Sequence, residues 1–129
     1  MLNRDTEIIR TALDVRKSFE DGSVYDSLIL RTVYMELRPQ AHIDETLRYC
    51  RGSFPRGNCG LASAYLKHAL HRGRVVDGSY EGLEHSVLLF EPEMVILDIT
   101  ADQFGGPSIY LGPVIPTWSL TWTIDVKQN

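Results

Sequence analysis

The hydrophobic period of this chain changes once. Up to Leu70 the apolar residues recur at a spacing near 3.6, and from Val75 onward they fall in short runs or alternate. Helices followed by strands is the α+β pattern, with an antiparallel meander as the simplest sheet. The spacing predicts helices over 5–19, 25–37 and 44–49, the second ended by Pro39, which biases Arg38 away from helical geometry. A turn-rich loop follows over 52–58. The next helix, 59–72, mixes small residues with large ones, as a helix buried along most of its length does, and Gly73 lies just past its end. Strands are predicted over 75–80, 85–90, 94–99, 109–111 and 119–126, with Glu91-Pro92-Glu93 as a turn and Trp122, Ile124 and Val126 alternating in the last strand.

At 129 residues, 43% hydrophobic and 23% charged, the chain reads as one domain over 1–129. A helical layer (1–52) precedes a cysteine-bearing helix with its sheet (53–129). No apolar run is long enough for a membrane span, and the N-terminus lacks the basic and apolar regions of a leader, so a cytoplasmic protein with reduced thiols is expected. The net charge of −4 is unevenly laid out: −3 over 1–47, +6 over 48–76 and −7 over 77–129. A short basic segment opposed by the rest of the chain argues against a nucleic-acid partner. If the fold brings the last two segments together around one groove, its sheet-side rim is acidic, and a substrate carrying Lys or Arg is favoured.

Cys59 falls in the first turn of its helix, where unpaired N–H groups and the helix dipole favour a thiolate, inside the only strongly positive segment. Cys50, near the end of an amphipathic helix, reads instead as a small buried hydrophobe. His85 opens one predicted strand and Asp98 closes the next. With the turn centred near residue 91.5 the two are cross-strand neighbours on one face. An aspartate beside a histidine fixes its tautomer and stabilises its imidazolium, which is the accessory role in nucleophilic catalysis. His68 and His71 share a helix face, but Cys50 and Cys59 lack the close spacing of a zinc pair, so no metal and no cofactor are expected. Gly105-Gly106-Pro107 reads as a turn, or alternatively as a mobile lip over the site.

The stretches Gly57-Asn58-Cys59-Gly60-Leu61-Ala62, Glu84-His85-Ser86-Val87 and Ile96-Leu97-Asp98-Ile99-Thr100-Ala101-Asp102-Gln103-Phe104 resemble the papain-like and transglutaminase-like cysteine enzymes. The resemblance covers roughly residues 55–111, and the Asp-Ile-Thr-Ala-Asp-Gln-Phe stretch is similar to that of a small bacterial subgroup. It implies Cys59 as nucleophile, His85 as base and Asp98 as orienting acid, acting on an amide bond of a peptide or protein. Transglutaminase or glutamine-deamidase chemistry, or an inactive peptide-binding relative, are the alternatives. Ser53 stands where papain-type enzymes carry a carbonyl-polarising glutamine, and Ser86 where many relatives have an aromatic residue. The oxyanion donors are therefore sought elsewhere: the Cys59 backbone N–H with the Asn58 side chain, or Gln103.

Overall fold

The computed structural model describes residues 2–121, with side chains from residue 5, and within them four α-helices precede a five-stranded antiparallel sheet. Helix α1 (Leu2–Glu20) starts earlier than its periodicity requires and buries Ile8, Ala12, Val15 and Phe19 along one stripe. The helix predicted from Tyr25 starts only at Leu28. A 3-10 turn, Ser23–Asp26, buries Val24 and Tyr25 first, and the Ser27 hydroxyl then caps α2 (Leu28–Leu37) by accepting from the Ile29 N–H at 3.1 Å. As Pro39 requires, Arg38 is non-helical, with φ −130° and ψ 76°. Helix α3 (Ile43–Arg51) buries Cys50, and α4 (Cys59–Leu70) buries Leu61, Ala62, Ser63, Ala64 and Leu66. Helix α4 is two residues shorter than predicted because His71 turns left-handed at φ 56°.

The strands are β1 (Arg74–Tyr80), β2 (Leu83–Phe90), β3 (Val95–Asp98), β4 (Tyr110–Pro113) and β5 (Trp118–Leu120), in the order β4-β3-β2-β1-β5. The predicted meander therefore holds only through β4. Strand β5 crosses back to pair with β1, and Trp122, Ile124 and Val126 lie outside the described residues. Although β4 and β5 are the two outer strands, the rings of Tyr110 and Trp118 stack at 4.1 Å, so the sheet curls until its edges meet. Alternation along β2 divides the core. Leu88 and Phe90 pack with Phe19, Leu30, Leu61 and Leu66 under the helices, and Val87 and Leu89 pack inside the curl with Val76, Tyr80, Ile96 and Trp118. Helix α4 lies between α1, α2 and the sheet, which brings its N-terminus beside β2.

Candidate active site

Cys59 is the first residue of α4, after a loop fixed by its own side chains: the Ser53 hydroxyl donates to the Tyr49 carbonyl at 3.1 Å and the Arg56 carbonyl at 2.9 Å. Asn58 is fully buried. Its Nδ2 donates to the carbonyls of Cys50 (3.2 Å) and Arg56 (3.0 Å), and its Oδ1 accepts from the Tyr25 hydroxyl at 2.5 Å. Both amide hydrogens are thus committed inward, which removes Asn58 as an oxyanion donor. The Cys59 N–H belongs to the first turn, whose donors have no helical acceptor.

The predicted pairing of His85 with Asp98 is corrected in register but not in face. The ladder aligns Leu88 with Leu97, Leu89 with Ile96 and Phe90 with Val95, so the turn, which ends at Met94 (φ 60°), is centred near 92.5 rather than 91.5. Extended, that register sets Thr100 opposite His85 and Val87 opposite Asp98. A slip of two residues keeps every side chain on its own face, so the two groups meet diagonally, with His85 Nε2 2.7 Å from Asp98 Oδ2. Both side chains are about 1% exposed.

Asp98 has more partners than its neighbours in sequence reveal. The Trp118 Nε1–H donates to Oδ2 at 2.9 Å, and Oδ1 accepts from the Thr100 backbone N–H at 2.9 Å and its hydroxyl at 3.4 Å. Around His85 stand Phe104 (ring centroids 5.2 Å apart) and Tyr80 (6.2 Å), and Tyr80 also meets Trp118 edge-on at 5.1 Å. Trp118 and Phe104 were missed in the sequence. The usable signal was that a buried indole needs an acceptor.

With Nε2 held by Asp98, Nδ1 is the ring nitrogen of His85 left to interact with the Cys59 thiol; it is buried, and no nitrogen or oxygen among the described residues bonds it. His85 and Cys59 line one cleft of about 480 Å³ together with Arg38, Asp77, Gly78, Glu84, Ser86 and Thr121. Burial pushes the Cys59 thiol up, but hydrogen bonding and attraction from His85, with the backbone and hydroxyl of Ser86, bring it net below the ordinary thiol value. Burial lowers His85, yet Asp98 first and Cys59 second raise it to about 9. The pair therefore favours thiolate and imidazolium over two neutral groups. Cys50 contrasts: buried, with Sγ 3.4 Å from the Gly57 carbonyl, its thiol is pushed up to about 11 by burial and by Cys59.

Gln103 lies outside this cleft. Its Oε1 accepts from the Gly57 N–H at 3.2 Å, its Nε2 is enclosed without a partner, and it lines a neighbouring hollow with residues 52–56. Nor do Gly105 and Gly106 form a lip over Cys59. Gly106 bonds the Ala101 carbonyl, and a Cβ there would lie 2.3 Å from the Tyr80 hydroxyl. The rings of His68 and His71 are 6.0 Å apart, and no group of three or more metal-ligating side chains exists among the described residues. No helix among them is long and apolar enough to cross a membrane. No family model, curated protein or solved structure matches this chain at a significant level.

Proposed function

We propose that the chain is a cysteine-dependent hydrolase of papain-like or transglutaminase-like kind, cleaving an amide bond of a peptide or protein through Cys59, His85 and Asp98. The observation that carries this reading is a single buried histidine among the described residues with one nitrogen on a carboxylate and the other left to a thiol at a helix N-terminus in the same cleft. In the reaction the Cys59 thiolate attacks the carbonyl carbon, and the oxyanion meets the Cys59 backbone N–H. The His85 Nδ1 proton passes to the leaving nitrogen as the C–N bond breaks, leaving a thioester. Neutral His85 then takes a proton from water, whose oxygen attacks the thioester carbonyl; the C–S bond breaks, the carboxylic acid leaves, and Cys59 thiolate and His85 imidazolium are restored. Throughout, Asp98 and Trp118 hold the ring in place. Hydrolysis needs no second substrate site, which favours it over transfer to an amine.

Iodoacetamide at pH 6, read by peptide-mapping mass spectrometry, tests the first step. Cys59 is expected to label far faster than Cys50, and equal slow labelling of both would sink the reading. Incubation with a peptide library then separates the chemistries: new chain termini mark a peptidase, and ammonia without new termini marks glutamine deamidation.

A further inference from the structure

Two acidic groups of the last segment, Asp77 and Glu84, line the cleft of Cys59. Asp102 is paired with Arg16, Glu91 with Arg74 and Asp98 with His85. Asp77 is held in place from both sides. The hydroxyl of Ser86, its partner across the strands, donates to Oδ1 at 2.8 Å, and the Asp77 carbonyl accepts the Thr121 N–H at 2.9 Å and hydroxyl at 2.8 Å. The same Oδ1 receives the Arg38 guanidinium at 2.7 Å. That contact spans the cleft from the end of α2 to β1. With 39% and 53% of the two side chains exposed it is well solvated, and solvated ion pairs exchange at little cost. Arg38 is beyond the last helical residue, and its N–H bond to the Tyr34 carbonyl does not involve the side chain; the guanidinium also meets the Tyr34 side chain, so its departure gives up that contact and the Asp77 pair but no backbone bond of α2.

We propose that Asp77 is the carboxylate that selects a substrate with a Lys or Arg side chain beside the scissile bond, and that Arg38 occupies its place until the substrate arrives. The proposal rests on the hydrolase reading and names its substrate class. In the ion-paired form Cys59 and His85 together carry no net charge. Once Arg38 swings away, the cleft that Cys59 and His85 line is left with the charges of Asp77 and Glu84. A cationic side chain restores the bond that Arg38 gives up; an anionic one meets two carboxylates.

Charged methanethiosulfonates test this on the full chain without a substrate. The Cys59 thiolate attacks the reagent's sulfenyl sulfur, methanesulfinate leaves, and a mixed disulfide forms. Rates at Cys59 are measured by mass spectrometry with the ethyltrimethylammonium, ethylsulfonate and methyl reagents, each divided by its rate with 2-mercaptoethanol. At low salt the cationic reagent is expected to lead the anionic one by about threefold or more, with the lead shrinking as salt is added. Arg38→Gln should widen the lead and Asp77→Asn should abolish it. A wild-type ratio at or below one, or a ratio unmoved in both variants, overturns the proposal. If the neutral methyl reagent fails to prefer Cys59 over Cys50, the hydrolase reading falls with it; fast neutral labelling without charge preference overturns this proposal alone.

Discussion

His85 and Cys59 titrate as a pair, and the pair leaves a mark on stability. A histidine whose folded pKa is raised stabilises fully below its unfolded value of about 6.5 and loses that contribution as pH rises toward about 9. A lowered thiol works in the opposite sense: its contribution is present above the unfolded value near 8.5 and is lost as pH falls through the folded one. Between those unfolded values the loss and the gain oppose each other. The urea midpoint of the wild type should therefore vary less between about pH 6.5 and 8.5 than that of a variant lacking the thiol. Cys59→Ala removes only the thiol, leaving a histidine raised by Asp98, so its midpoint should already fall over that range, by on the order of 1 kcal/mol. A flat profile in the variant would separate His85 from the ion pair. His85→Ala should return the thiol toward its free value of about 8.5, seen as an alkaline shift of the iodoacetamide rate profile. The three residues of this arrangement were legible in the sequence because each carries its own local signal: Cys59 at a helix start, Asp98 at a strand end, and His85 just before the apolar run of β2, which itself begins two residues earlier at Leu83. Asn58 misled for a physical reason. An amide beside the nucleophile looks free in one dimension, whereas the fold turns it inward onto Cys50 and Arg56.

Strand β5 is the shortest of the five, yet it supplies the indole on Asp98. Trp118→Phe keeps the apolar ring and removes the donor, so we expect a loss of about 1–2 kcal/mol and slower alkylation of Cys59, measured by urea melts and labelling. Its seat depends on a glycine. A Cβ on Gly78 would stand 2.0 Å from the Ser119 carbonyl oxygen, closer than any backbone can yield without β5 moving away. Gly78→Ala is expected to loosen β5 and cost about 2–3 kcal/mol, with amide exchange rising first at residues 118–120. Unchanged exchange there would mean that β5 is held by other contacts. Short apolar runs flanked by turn residues located β1 to β4, but nothing local says that a strand skips three neighbours to reach β1. Register was legible only in its parity: the hairpin is centred near 92.5 rather than 91.5, which moves the pairing by two and leaves His85 and Asp98 on one face.

Between the helical layer and the site the main tie is Arg16. From α1 its guanidinium reaches Asp102 through two nitrogens (2.9 and 2.6 Å), the Ile99 carbonyl at 2.8 Å and the Ser108 carbonyl at 3.1 Å, and it lies 5.0 Å from the centre of the Phe54 ring. One side chain thus pins both ends of the segment that follows Asp98 to a helix more than eighty residues earlier. Arg16→Ala should cost about 2 kcal/mol and raise amide exchange over residues 101–108. Arg16→Lys should rescue little, because an ammonium cannot meet this fork of acceptors. If Lys restores wild-type protection, the tie is one of charge alone. None of this was readable from spacing, since a bond across so long a separation leaves no periodicity. The curl that stacks Tyr110 on Trp118 has a last consequence, one of timing. The carboxylate that orients His85 lacks its indole until residue 118 has been synthesised and has folded back. A nascent chain that already displays Cys59 and His85 therefore lacks the last hydrogen bond on Asp98, which only the closed sheet supplies.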